Sequence, residues 1–87
     1  YNAAIKALDN FVFNFPGSKY KEDALYYKYD AMYKLAMNSI PSKKQERLNT
    51  AKTYHQNLIK FKADTKYLEK SNQMLETVDK ELKQYTN

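Results

Sequence analysis

Phe15-Pro16-Gly17-Ser18-Lys19-Tyr20 and, further along, Phe61-Lys62-Ala63-Asp64-Thr65-Lys66-Tyr67 are two versions of one phrase. Each closes one helical pattern and opens the next. Phe15 and Phe61 lie 46 positions apart, and Tyr20 and Tyr67 lie 47 apart. The apolar positions around them recur as well: Leu8 and Val12 fall on Tyr54 and Leu58, and Ala31 and Leu35 fall on Val78 and Leu82. A repeat on this scale predicts a helical solenoid, in which each unit buries its apolar face against its neighbours. Such chains mostly hold other proteins and rarely do chemistry.

With one glycine and two prolines there are few places to break the chain, and those breaks predict four helices and an all-α fold. The first is expected over residues 1–15, with Ala4, Ile5, Leu8, Phe11, Val12 and Phe15 gathered on one broad side at ~100° per residue. Pro16 cannot continue it, and Gly17 tolerates the left-handed backbone of a helix end. The second is expected over 19–38, with Ser18 as its cap and Glu22 and Asp23 at its positive end. Ala24, Leu25, Ala31, Met32 and Leu35 mark one side of it, and Tyr26, Tyr33 and Met37 another, so it belongs in the middle. The third, over 42–61, opens on a Ser42–Gln45 capping box and turns Leu48, Ala51, Tyr54, Leu58, Ile59 and Phe61 inward. The fourth, over 65–86, carries one apolar stripe of Tyr67, Met74, Leu75, Val78, Leu82 and Tyr85, with Ser71 among them. Its other face is charged, which suits the last helix of a solenoid.

The chain has 87 residues, enough for one small domain with a modest core. It has no cysteine, which excludes disulfides and thiolate metal sites. No apolar run approaches the ~20 residues that span a bilayer. The net charge is +5, but acids alternate with bases, as in Lys19-Tyr20-Lys21-Glu22-Asp23. That is the pattern of a solvated helical surface rather than of a nucleic-acid footprint. Beginning at Tyr1 within a helical pattern, with no initiator methionine or signal peptide, the chain reads as the C-terminal part of a longer protein. A helix one without a preceding partner leaves Ala4, Phe11 and Phe13 bare, which predicts a dimer or swapped packing at high concentration.

Ala4, Leu8, Val12 and Pro16 have the spacing Ala-x3-apolar-x3-apolar-x3-Pro, which resembles the second helix of a tetratricopeptide repeat and its closing proline. In the second copy Thr50 and Lys62 take the places of the alanine and the proline. The period is also longer than the ~34 residues of the standard unit. Residues 15–25 (Phe-Pro-Gly-Ser-Lys-Tyr-Lys-Glu-Asp-Ala-Leu), then Ala31-x-Tyr33-x-Leu35-Ala36, then Glu46-Arg47 leading to Ala51-x2-Tyr54, resemble the BamD family. These are tetratricopeptide lipoproteins of the outer-membrane β-barrel assembly machine. The resemblance implies a right-handed solenoid of antiparallel helical hairpins and a place on the periplasmic face of the bacterial outer membrane. There the family is held by an N-terminal lipid on a cysteine that this chain lacks. It also implies two protein partners: the periplasmic domains of the barrel-forming subunit, and unfolded outer-membrane proteins. A tetratricopeptide adaptor of another pathway and a basic helical module for nucleic acid or anionic lipid are the alternatives.

No residues point to catalysis, a cofactor or a metal. His55 is the only histidine and falls between Ala51 and Ile59 on the inward side of its helix, with no second ligand at metal spacing. Glu22 and Asp23 are adjacent, so on a helix they point about 100° apart and do not converge on one atom. The candidate partner-binding residues are Phe13, Tyr27, Lys43, Lys44 and Arg47. Phe13 and Tyr27 are aromatic residues on otherwise polar sides of their helices, where they either pack against a further helix or anchor a partner. Lys43, Lys44 and Arg47 follow a connector read as Asn38–Gln45, longer than a helix–helix turn requires. Arg47 sits at the edge of the inward face, placed either to bind a partner's carboxylate or to pair with an acid of a neighbouring helix.

Overall fold

The computed structural model describes residues 1–85. It has four α-helices: α1 (Asn2–Asn14), α2 (Lys21–Met37), α3 (Pro41–Phe61) and α4 (Leu68–Leu82). A single 3-10 turn, Lys83–Tyr85, follows α4. Among the described residues there is no strand. Thr86, the expected end of the fourth helix, lies outside the described residues.

Consecutive helices run antiparallel. Asp9 of α1 meets Lys28 of α2, and on α3 and α4 Lys52 meets Asp79 while His55 meets Asn72. α2 lies in the middle, packed on α1, α3 and α4, as its nearly all-round apolar surface requires. Tyr29, Ala36, Leu48, Ala51, Leu58 and Val78 are completely buried. The Tyr29 hydroxyl donates to the Ser71 carbonyl at 3.0 Å, tying the core of α2 to α4. Burial pushes the Tyr29 pKa up.

The two quoted phrases fold into the same turn, hydrogen bond for hydrogen bond. The amide of Phe15 donates to Phe11, that of Ser18 to Phe15, and that of Lys21 to Ser18; Lys62, Thr65 and Leu68 donate to Leu58, Lys62 and Thr65 in the same order. The Ser18 hydroxyl accepts from the Tyr20 amide at 3.0 Å, and the Thr65 hydroxyl from the Tyr67 amide at 3.3 Å. Tyr20 has φ −94° and ψ 6°, and Tyr67 has φ −95° and ψ 7°. The structural repeat is therefore 47 residues throughout. The counterpart of Phe15 is Lys62 rather than Phe61, and that of Ala4 is Ala51 rather than Thr50.

These turns also move the expected boundaries. Ser18 and Thr65 cap a one-turn prelude, so α2 and α4 start at Lys21 and Leu68 rather than at 19 and 65. Gly17 does not use left-handed backbone, since no described residue has positive φ. α3 begins at Pro41 without a Ser42–Gln45 capping box. Proline's fixed φ suits the first helical position, and it holds the preceding Ile40 extended as the cap (φ −64°, ψ 152°). The connector is thus only Asn38–Ile40.

The joint between the two hairpins is polar. Glu22 and Asp23, at the start of α2, grip the connection between α3 and α4. A Glu22 oxygen accepts from the Thr65 hydroxyl at 2.5 Å and from the Lys66 amide at 3.1 Å, and Lys62 Nζ lies 3.7 Å from its other oxygen. Asp23 Oδ1 accepts from the Tyr67 hydroxyl and from Lys66 Nζ at 3.0 Å. Tyr67 stacks flat on Tyr26 with centroids 3.9 Å apart. The adjacent carboxylates diverge, as helical geometry demands, but both land on one short segment.

Two outcomes follow from this geometry. A Cβ at Gly17 meets nothing within 4 Å. Gly17→Ala is therefore expected to raise stability by about 0.5 kcal/mol by narrowing the unfolded ensemble, which a urea titration would register. The second concerns acid. The Thr65 hydroxyl lowers the Glu22 pKa and the Tyr67 hydroxyl lowers that of Asp23. Groups with depressed folded values stabilise fully above their unfolded pKa of about 4 and lose that stabilisation as pH falls through the folded values. The melting midpoint should fall on acidification below about pH 4, and fall less in a Glu22→Gln/Asp23→Asn variant. Parallel acid profiles in circular dichroism would show that the joint does not depend on the charges.

Candidate protein-interaction surface

Large side chains stand exposed at the start of the chain. Phe13 is 85% exposed, Phe15 58%, Tyr20 57% and Tyr27 51%. Tyr20 and Tyr27, with Leu8, Phe11, Asp23 and Ala24, line an open groove of about 280 Å³ between α1 and the beginning of α2. A second opening of about 420 Å³, lined by Phe11, Phe15, Gly17 and Ser18, shares Phe11 with the first. The Phe11 and Phe15 rings are tilted against each other at 5.6 Å. Together they form one aromatic surface with Asp23 at its edge.

Of the expected site residues, Tyr27 lies in this surface. Its ring meets Tyr26 and Tyr67 edge-on, at 5.4 and 6.1 Å. Phe13 projects from α1 elsewhere and is not part of the groove. Lys43, Lys44 and Arg47 lie near the other end of α2: Arg47 contacts Ser39, which is twelve residues, roughly 18 Å of helix, beyond Tyr27. The structure does not bring the two sets together.

Two of the three cations are occupied internally. Lys44 Nζ lies 3.5 Å from Glu81. Arg47 Nη1 donates to the Ser39 hydroxyl at 2.6 Å, which in turn donates to the Leu35 carbonyl at 2.6 Å. Arg47 therefore holds the short connector through a hydroxyl and not through an acid. Lys43 is exposed.

Phe15 and Tyr20 were not among the expected surface residues. Phe15 matches the inward stripe of α1 by helical angle, but it is the cap, with φ −132° and ψ 61°, and its ring leaves the stripe. The recurrence of hydroxyl-Lys-Tyr at 18–20 and 65–67 is the signal that marks Tyr20. Nothing in the local sequence pattern marks Lys28 as a core residue. It is buried, 2.7 Å from Asp9 and 4.2 Å above the Tyr54 ring, and so joins α1, α2 and α3. His55 is buried, 3.1 Å from Asn72 Oδ1 and edge-on to Tyr29 at 5.4 Å.

Among the described residues no group of acids and histidine is placed to hold a metal, and no helix is long and apolar enough to cross a membrane. No protein-family model, curated protein or solved structure matches the chain significantly.

The two patches separate by their effect on stability. Arg47→Ala removes a connector hydrogen bond and should cost about 1 kcal/mol, a fall of roughly 4–8 °C in midpoint for a domain of this size. Phe13→Ser, at an exposed position, should stay within about 0.5 kcal/mol of the parent. Thermal and urea melts of both variants check this.

Proposed function

We propose that this chain is a non-enzymatic protein-interaction scaffold: two hairpins of a right-handed tetratricopeptide-like solenoid, belonging to an outer-membrane assembly lipoprotein of BamD type. The observation that carries the reading is the 47-residue repeat of one turn geometry, Phe15–Lys21 against Lys62–Leu68, with Phe13 standing exposed on α1 beside the first copy. Stacked repeats present rigid extended surfaces on which partners dock, and exposed aromatics are the residue type that anchors them. Lys28, Lys34, Lys44, Lys52, Lys62 and Lys66 each sit in an ion pair with an acid of the same chain. That dispersed positive charge favours a protein partner over a polyanion.

In this reading the periplasmic domains of the barrel-forming subunit are the principal partner and unfolded outer-membrane proteins the clients, at the periplasmic face of the outer membrane. Titrating the chain with those purified periplasmic domains by calorimetry tests it. Binding is expected, with Phe13→Ser weakening it about tenfold or more, ~1.4 kcal/mol, and with helicity unchanged. No binding by a folded chain removes the outer-membrane assignment. Binding that is indifferent to Phe13 but lost in Lys43→Ala moves the docking face to the start of α3.

A further inference from the structure

The second connection shows what the first is built to bind. Thr65, Lys66 and Tyr67 supply a hydroxyl, an ammonium and a phenol to the adjacent carboxylates Glu22 and Asp23. Their counterparts 47 residues earlier are Ser18, Lys19 and Tyr20, the same three groups in the same order. They are also in the same pose: Lys19 Nζ lies 5.2 Å from the Tyr20 ring centroid, and Lys66 Nζ lies 5.3 Å from that of Tyr67. Ser18 accepts the Tyr20 amide just as Thr65 accepts that of Tyr67, which leaves its own proton to donate. Among the described residues no carboxylate is within ion-pair reach of Lys19, and Tyr20 stands in the open. The only member of the set that is not repeated is Lys62, whose place is taken by Phe15.

The apolar ground beside the turn repeats as well. Phe11, Ala24 and Tyr27 of the open groove correspond to Leu58, Ser71 and Met74, and in the second unit α2 covers these positions. Its Tyr29 hydroxyl donates to the Ser71 carbonyl, its Tyr26 hydroxyl approaches the Met74 sulfur at 3.8 Å, and its Tyr26 ring stacks on Tyr67. From this internal template we infer that the groove over Phe11, Tyr20 and Tyr27 docks a helix of the α2 kind, belonging to a further repeat unit stacked on α1. That helix opens on two adjacent carboxylates, which take Ser18, Lys19 and Tyr20, and carries an aromatic residue one turn later to stack on Tyr20. A second copy of this chain does not fit, because its own acid pair is engaged by its own Thr65–Tyr67. Stacking of this kind is also one-sided. The counterparts of Glu22 and Asp23 on α4 are Glu69 and Lys70, and the reversed charge at 70 removes the acceptor for the lysine and the phenol.

The inference rests on the repeat-scaffold reading but not on the outer-membrane partner, and its test is intramolecular. Residues 1–47 are placed a second time ahead of Tyr1 of the full chain, so that the added Glu22 and Asp23 face the original Ser18–Tyr20. The extended chain should melt in one transition, about 5 °C or more above the parent. Asp23→Asn in the added copy and Tyr20→Phe in the original should each lower that midpoint. The double variant should lose distinctly less than the two losses combined, as expected for residues in contact. Additive losses in a fully helical extended chain overturn the docking mode while leaving the repeat reading standing. An added segment that stays unprotected from amide exchange overturns both. A dimer of the unextended chain that dissociates on Tyr20→Ala, seen by sedimentation, overturns the choice of occupant.

Discussion

The grip of Glu22 and Asp23 on the α3–α4 connection is the constraint on which the arrangement of the hairpins depends. Helix–helix packing fixes α4 against α3 more than against α2, which it meets through few residues, so apolar burial alone specifies the α2–α4 register weakly. The carboxylates remove that freedom. They engage an amide, two hydroxyls and two ammonium groups within one turn, so a shift of α4 by one residue breaks the whole set. Charge-assisted hydrogen bonds of this kind are roughly twice as strong as neutral ones, and here they sit at a half-buried joint where screening is partial. The Tyr26–Tyr67 stack and the Tyr29–Ser71 hydrogen bond follow from that placement. Each needs α4 in this register.

Four helices, the central place of α2 and the inward positions Leu48, Ala51, Leu58, Met74 and Val78 were legible in the sequence, because they rest on periodicity and on scarce breakers. Boundaries were less so. Ser18 and Thr65 look like ordinary caps, and only the three-dimensional turn shows that each starts a separate prelude before its helix. Pro41 outcompeted Ser42 as the start of α3. Side-chain likeness pairs Phe61 with Phe15, whereas the chain repeats its hydrogen bonds, and those put Lys62 there.

The candidate surface was legible in part. Tyr27 and Phe13 announced themselves as aromatics on polar faces, and both are exposed. Phe15 and Tyr20 did not, since a helical wheel has no place for a residue beyond the helix end. By sequence the pair Glu22–Asp23 matches a helix dipole, a reading that concerns one helix alone. Its larger role depends on a contact across more than forty residues, which no local pattern encodes. Arg47 was recognised as an edge residue, but its connector proved three residues long, and a connector that short needs holding rather than offering a binding loop.

Lys28 shows why a basic chain of this kind still specifies one packing. A buried ammonium is costly unless paired, and removing its partner strands the charge. Lys28 has one ion-pair partner, Asp9, and one ring, Tyr54, and these come from α1 and α3, the two helices that flank α2. Its requirements are met only when both neighbours are in place at once. It therefore performs within the core the task that Glu22 and Asp23 perform at the joint. Apolar burial supplies the adhesion, and a few charged groups, each dependent on two other helices or on one exact turn, decide which of the many apolar fits is the folded one.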